Sequence, residues 1–120
     1  MITGAQAIAR IAKCFGVRFA FAYPGTSELA LCIELEKLAG VRLVNGRGDR
    51  ECAFMAAGAS YFRQGSAISV LHAARGLTNA IGAIGAARRN EIGCVHVVGL
   101  ASTRTSRYLP PHAEWELLKS

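Results

Sequence analysis

Apolar positions along the chain show two kinds of spacing, which alternate. In the longer stretches they recur three and four residues apart, which predicts helices, and between these lie short apolar runs bounded by Gly, Pro or polar residues, which predict strands. The predicted helices cover about 4–15, 28–39, 50–63 and 76–88, with a short one at 112–119. The predicted strands cover 18–23, 41–44, 67–71 and 93–98, and 101–111 is a polar loop.

The ends of the first two helices carry residues with strong terminal preferences. Thr3 can cap the first helix, and either Thr26 or Ser27 can cap the second. Gly16 and Gly40 follow the two helices, where glycine commonly ends a helix. The residues predicted to face the core are Ile8, Ile11 and Ala12 in the first helix and Leu29, Ile33 and Leu38 in the second.

The alternation of helices with strands predicts an α/β fold, an open parallel sheet with helices on both faces. The crossovers should be right-handed. In such sheets, ligands bind beyond the carboxyl ends of the strands. This rule selects the loops at 23–27, 45–50 and 72–79 as candidates for chemistry, and we expect one domain over 1–120.

Small residues fill the third and fourth predicted helices. Three of them are the glycines Gly58, Gly82 and Gly85. Glycine inside a helix costs up to about 1 kcal/mol relative to alanine, so its use there indicates close approach of another helix. The sequence leaves two alternatives open, packing within the core and contact with another subunit.

Composition narrows the class of protein. Of 120 residues, 52% are hydrophobic and 18% charged, which argues against disorder. No apolar run reaches the ~18 residues that a membrane span needs, and the first residues do not form a secretory signal, so we expect a cytoplasmic protein. The four cysteines, at positions 14, 32, 52 and 94, are far apart, which favours free thiols over disulfides or a zinc site.

The net charge of +6 does not by itself indicate nucleic-acid binding. The basic residues are scattered, with one adjacent pair at Arg88 and Arg89, and no aromatic residues are interleaved with them. An acidic partner subunit or an anionic small molecule accounts for the charge equally well.

Each of the three candidate loops connects a predicted strand to a helix N-terminus. In the first, Pro24 fixes φ, Gly25 lets a ligand approach the backbone, and the helix offers N–H groups beyond it. In the third, His72 stands at the end of a buried strand, either as a packed, hydrogen-bonded residue or as a general acid or base. Neither loop has the glycine pattern of a dinucleotide or nucleoside-triphosphate site.

The second loop contains a dense group of charges, with acids at Asp49 and Glu51. The tripeptide Arg47-Gly48-Asp49 occurs in cell-adhesion ligands. Here it lies at a predicted strand-to-helix junction of a chain without a secretory signal, so the adhesion interpretation is rejected.

Taken together, the loops resemble a known family. Three features lie in a fixed order along the chain: PGTSEL from Pro24, an acid near position 49 followed by a small-residue helix with Gly58, and LHAARGLTNAIGAI from Leu71. Their order and spacing resemble those of the pyrimidine-binding (PYR) domain of thiamine-diphosphate enzymes. The likeness is strongest to benzoylformate decarboxylases, and acetolactate synthases share weaker parts of it. It extends from about residue 4 to 99.

The resemblance implies a role for one of the two acids. In this family, a PYR-domain glutamate nine residues before the helix glycine hydrogen-bonds N1′ of the aminopyrimidine and thereby activates the cofactor for decarboxylation of a 2-oxo acid. Counting nine back from Gly58 selects Asp49, which is shorter than glutamate by about 1.5 Å of bond length. Glu51 becomes the reaching carboxylate if the loop is one turn longer, and otherwise it is a solvated acid that suits the helix dipole.

The resemblance also implies roles for residues of the other loops. Thr26 stands near the expected substrate carboxylate, and His72 stands at the position of a histidine that relays protons. His112 stands where some relatives carry further active-site residues. The residues expected to bind the cofactor or hold its loops are Pro24, Gly25, Thr26, Gly76, Thr78 and Asn79.

A complete site of this family needs a second domain. There, the cofactor diphosphate is held through Mg²⁺ by a domain with a Gly-Asp-Gly sequence, which this chain lacks. The resemblance therefore implies thiamine diphosphate and Mg²⁺ as cofactors, with no metal ligand from this chain. It also implies a diphosphate-binding domain or subunit as partner, a homo- or hetero-oligomer, and a 2-oxo acid substrate. Both a fragment and a small PYR subunit fit, and a non-catalytic PYR-like subunit for assembly or regulation is the alternative.

Overall fold

The computed structural model describes residues 1–100. The predicted loop at 101–111 and helix at 112–119, with His112, lie outside the described residues. The helices are α1 (Gly4–Cys14), α2 (Leu29–Ala39), α3 (Asp49–Phe62) and α4 (Ala73–Arg89). The strands are β1 (Phe19–Ala22), β2 (Arg42–Asn45), β3 (Ala67–Leu71) and β4 (Val95–Val98).

The four strands form one parallel sheet in the order β2-β1-β3-β4, which confirms the predicted fold class. Phe19 pairs with Arg42 of β2 on one side and with Ala67 of β3 on the other. On one face of the sheet, α1 packs against α2, and on the other α3 packs against α4. The chain moves outward from β1 to β2 and in the opposite direction from β3 to β4, so the order reverses between β1 and β3.

The buried strand β3 serves both layers because its side chains alternate between the faces. Ile68 and Val70 belong to the core under α1 and α2, whereas Leu71 packs with Ala53 of α3 and Ala80 of α4. All five residues of β3 are buried. The site-bearing ends of β1 and β3 are therefore held by a core on each side.

Two predicted helix starts differ from the structure. The second helix is not capped by Thr26 or Ser27, because its N-cap is Glu28 and no side chain caps it. The Ser27 hydroxyl instead donates to the Glu28 carboxylate. The fourth helix begins at Ala73, three residues before the predicted start, and Ala73 adopts a left-handed φ of 51°.

The predicted apolar faces of the first two helices are partly wrong. Ile8 and Ile11 are exposed, while the smaller Ala9 and Ala12 are buried against the sheet; Ala12, with 6% exposure, was predicted correctly. Likewise Leu29 and Ile33 are exposed. The core of α2 is formed by Leu31, Cys32 and Leu35, with Leu38 packed at its edge.

The exposed side chains of α1 line an apolar cleft of about 370 Å³ beside β4. Phe15 and Val95 contribute to it. The amphipathic period identified the right helix, but Ile8 and Ile11, which it placed inside, face this cleft rather than the core.

The helix glycines Gly58, Gly82 and Gly85 lie on an open surface. A Cβ built at any of them meets no atom of the described residues within 4 Å. Packing within the core of residues 1–100 therefore does not explain why glycine stands at these three positions. Contact with another subunit stays a prediction.

All four cysteines are free thiols. Cys32 and Cys52 are buried. Within residues 1–100, no helix has both the length and the apolar character needed to cross a membrane.

Replacing Thr3 by alanine should lower the free energy of unfolding by about 1 kcal/mol. Thr3 and Gln6 form a capping box, in which the Thr3 hydroxyl accepts from the Gln6 backbone N–H and the Gln6 side chain accepts from the Thr3 N–H, both at 3.2 Å. Urea unfolding of the variant measures the loss, and Thr3→Ser, which keeps the hydroxyl, is the control. Equal midpoints for the two variants would contradict the cap.

Candidate functional site

The candidate site lies where the strand order reverses, at the carboxyl ends of β1 and β3. Open α/β sheets bind ligands at such points because the two loops diverge and leave a crevice. Gly25 and Glu28 come from the loop after β1, and His72 from the end of β3. The loop after β2 leads into Asp49, the first residue of α3.

A buried carboxylate and a histidine meet at this point. Glu28 is 1% exposed, and its Oε2 lies 2.8 Å from Nδ1 of His72. The backbone N–H of Gly25 donates to the same oxygen at 3.0 Å, and the Ser27 hydroxyl donates to Oε1. Two donors and the His72 ring nitrogen thus surround the carboxylate, as the burial of an acid requires.

The donors around Glu28 decide its charge. Burial acts to raise the pKa of this carboxyl, but the hydrogen bonds from Ser27, His72 and Gly25 outweigh burial, and the pKa lies below its ordinary value. Hydrogen bonds to a charged form favour that form. Glu28 is therefore a buried anion at neutral pH.

Two glycines make room for this pair. A Cβ at Gly25 would lie 2.0 Å from Cε1 of the His72 ring, and a Cβ at Gly99 would lie 1.5 Å from Oε1 of Glu28. Gly99 follows β4, and its backbone N–H donates to the carbonyl of Leu71, at the end of β3, at 3.1 Å. The backbones of three strand ends therefore close around the two side chains.

Asp49 is buried at the N-terminus of α3, with 9% exposure. Its Oδ1 accepts from the backbone N–H of His72 at 2.7 Å. Within residues 1–100, Oδ1 is the Asp49 carboxylate oxygen that accepts a hydrogen bond, and Oδ2 has no protein donor. Gly76 packs against the carboxylate so closely that a Cβ there would lie 2.7 Å from Oδ1.

A cleft of about 330 Å³ opens beside Asp49. Its lining residues are Tyr23, Gly48, Asp49, Arg50, Glu51 and Asn79. The side chain of Glu51 is 43% exposed and pairs with Arg50 at 2.9 Å. Because α3 begins at Asp49, the longer loop that would make Glu51 the reaching carboxylate is not present.

The remaining residues predicted for cofactor binding divide between the cleft and its surroundings. Asn79 lines the cleft, and Gly76 lies under Asp49. Thr26 is exposed in the turn after Pro24. Thr78 uses its hydroxyl to donate to the Arg75 carbonyl, one turn back in α4, at 2.9 Å.

The sequence prediction missed Glu28 as a site residue. Its place in PGTSEL reads as a first-turn acid that suits the helix dipole. The signal for its role is a contact with His72, 44 positions along the chain, which only the strand order reveals. Tyr23 was likewise placed in the loop but not assigned to the cleft.

Within residues 1–100, no three His, Cys, Asp or Glu side chains come together in a way that could hold a metal ion.

Acid should remove the stability that Glu28 provides. Since the folded-state pKa is lowered from 4.5, this contribution is complete above the unfolded value and is lost as pH falls below 4.5 through the lowered folded-state pKa. The difference in free energy of unfolding between wild type and Glu28→Gln, measured in urea, should shrink as pH falls below 4.5. Leu29→Ala, a neutral change at the exposed neighbour, should give a pH-independent difference. A Glu28→Gln difference that does not vary with pH would contradict the buried anion.

The sequence matches the family described as "Thiamine pyrophosphate enzyme, N-terminal TPP binding domain" over residues 2–118, and the chain belongs to this family. The predicted resemblance to PYR domains is thereby confirmed. A search among curated proteins found no match.

Solved structures share the fold. Benzoylformate decarboxylase from Polynucleobacter necessarius superposes with a TM-score of 0.80 at 19% identity, over 96% of this chain and 22% of that chain. A thiamine diphosphate-dependent 4-hydroxybenzoylformate decarboxylase of Rhodococcus jostii RHA1 gives 0.76 at 21% identity, over 92% and 21%. The chain thus spans about a fifth of the length of these structures.

Proposed function

We propose that this chain binds and activates the aminopyrimidine of thiamine diphosphate in a 2-oxo acid decarboxylase or carboligase. The observation that carries the proposal is the buried carboxylate of Asp49, which lines the cleft at the strand-order reversal. This is the position at which the family resemblance implies the activating acid. A cytoplasmic location is part of the same proposal.

The cleft suits a flat heteroaromatic ring with polar edges. Asp49 Oδ2 has no hydrogen-bond donor within residues 1–100, so it can accept a hydrogen bond from a protonated ring nitrogen or, when itself protonated, donate one. Tyr23 adds an aromatic surface, and Asn79 adds an amide that both donates and accepts. About 330 Å³ is a volume at the lower end of small-molecule sites.

Each protein group has a distinct task. Asp49 holds a proton or hydrogen bond at the ring nitrogen, fixed by the His72 N–H on its other oxygen. His72 exchanges protons with the substrate, at a position set by the loop after β3. When bound, thiamine diphosphate supplies the electron sink for loss of carbon dioxide from a 2-oxo acid.

A diphosphate-binding domain must complete this site. Residues 1–100 contain no cluster that could hold Mg²⁺, and the chain covers about a fifth of the related enzymes. We therefore assign the Mg²⁺ ligands to a partner domain or subunit with the Gly-Asp-Gly sequence, in a homo- or hetero-oligomer.

The direct test combines the chain with such a partner, thiamine diphosphate and Mg²⁺, and follows carbon dioxide release from a panel of 2-oxo acids. We expect turnover that requires both polypeptide parts and the cofactor. Absence of turnover, together with absence of cofactor binding, would overturn the proposal.

A non-catalytic, PYR-like role in assembly or regulation is the second candidate. Two observations favour it: the carboxylate here is the shorter aspartate, and one of its oxygens already accepts the His72 N–H. Titration calorimetry with thiamine diphosphate, Mg²⁺ and the partner distinguishes the two roles. Tight binding that weakens on Asp49→Ala supports the enzyme, whereas binding that ignores the change supports the second role.

A further inference from the structure

We infer that Glu28 is a positioning residue that sets the tautomer and orientation of His72, so that Nδ1 carries the proton and Nε2 is the basic nitrogen. The effect of this tautomer on catalysis rests on the proposed function, whereas the contact between Glu28 and His72 does not depend on it. The inference assigns a purpose to a buried acid that the resemblance left without one.

Two segments, the loop after β1 and the start of α3, contact His72 at three points. Its backbone N–H donates to Asp49 at 2.7 Å, its Nδ1 lies 2.8 Å from Glu28 Oε2, and its ring packs on the backbone of Gly25. A ring fixed in this way has little rotational freedom. Its side chain nevertheless stays 27% exposed, so it is open to the crevice.

The tautomer follows from the hydrogen-bonding capacity of Glu28. An ionised carboxylate only accepts hydrogen bonds, so the nitrogen that faces it must carry the hydrogen. Neutral imidazole has a single N–H, so Nε2 then bears the lone pair. The lowered pKa of the Glu28 carboxyl supports the ionised state.

Glu28 is better suited to this task than to contact with substrate. It is 1% exposed, and Gly99 seals it from the β4 side. A carboxylate so enclosed acts through His72. In the same way, a buried acid in a catalytic triad holds its histidine in one tautomer without itself taking up the proton.

The first experiment measures the ¹⁵N chemical shifts of the His72 imidazole in the full 120-residue chain, near neutral pH. We expect a protonated Nδ1 and an unprotonated Nε2 in the neutral ring. A neutral ring with its proton on Nε2 overturns the inference in the wild-type protein, whatever any variant does.

The variants separate positioning from packing. Glu28→Ala should give a mixture of tautomers, while Glu28→Gln, whose amide oxygen can accept from Nδ1, should retain the wild-type shifts. If Glu28→Ala fails to fold, Glu28→Met fills the volume without an acceptor and serves in its place. Wild-type shifts in a folded Ala or Met variant would overturn the inference.

Turnover of the complete enzyme then tests the catalytic meaning. Glu28→Ala or Glu28→Met should lower kcat about tenfold or more with little change in KM, because proton transfer and not binding is affected. Combined with His72→Ala, the Glu28 change should add no further loss. Additive losses would overturn the positioning role. A chain with the expected tautomer but no cofactor binding would instead defeat the proposed function, so the two failures are distinguishable.

Discussion

Replacing Asp49 by alanine should lower turnover of the complete enzyme by about a hundredfold or more. Asp49 is the buried acid in the cleft, and its Oδ2 has no donor within residues 1–100. In the proposed binding mode this carboxylate holds a proton at the aminopyrimidine, and the variant lacks it. The initial rate of carbon dioxide release at saturating cofactor measures the loss.

Three further variants assign the loss of activity to the charge of Asp49. Asp49→Asn retains an acceptor for the His72 N–H, so it should keep the fold and still lose most of the activity. Glu51→Ala should lose much less, because Glu51 is 43% exposed and already paired with Arg50. A greater loss in Glu51→Ala than in Asp49→Ala would show that Glu51 is the acting carboxylate. Glu36→Ala, on the exposed surface of α2, controls for a general effect of removing an acid.

Replacing Gly76 by alanine should lower the free energy of unfolding by about 1–3 kcal/mol, as overpacking does. The new Cβ would lie 2.7 Å from Oδ1 and 2.9 Å from Cγ of Asp49, and 3.1 Å from the carbonyl carbon of Leu71. The backbone contact is rigid, and Asp49 is fixed by its bond to His72. Urea unfolding measures the effect on stability. A displaced Asp49 should also weaken cofactor binding, which calorimetry with the partner domain measures.

The same helix provides matched controls of opposite sign. A Cβ at Gly82 or Gly85 meets open space, so alanine at either position should stabilise the isolated chain by roughly 0.5–1 kcal/mol through helix propensity.

The double variant Asp49→Ala/Gly76→Ala should be less destabilised than the sum of the two single changes, because the clash is partly relieved. Strict additivity would contradict the contact.

Much of the fold follows from local pattern because strands and helices of this kind have distinct periods. The strand β3 was predicted at its observed bounds, Ala67–Leu71, since a short apolar run between polar residues has one simple interpretation. Two of the three residues assigned to the apolar face of α1, Ile8 and Ile11, were placed incorrectly because period alone does not show which side of a helix another element covers. Ala9 lies inside and Ile11 outside, a choice made by the sheet and not by side-chain hydrophobicity.

The sequence was enough to predict which loops form the candidate site, but not which side chains contact one another there. The rule for open sheets selected the loops that carry Asp49 and His72, and the family resemblance supplied their expected roles. Local sequence could not show that Glu28 lies against His72, because it contains no information on which strands are adjacent. The left-handed φ of Ala73 is a further example, since nothing in its side chain favours that conformation.

The contacts that join Glu28 and Asp49 to His72 affect the order in which the chain folds. The contact between Glu28 and His72 joins residues 44 positions apart, and that between Asp49 and His72 joins residues 23 apart. Closing loops of this length costs entropy before any contact is gained, so such contacts form slowly compared with local helix. The His72 imidazole is therefore a reporter of complete folding. Its native resonance should emerge only when β1, β3 and the start of α3 are all in place.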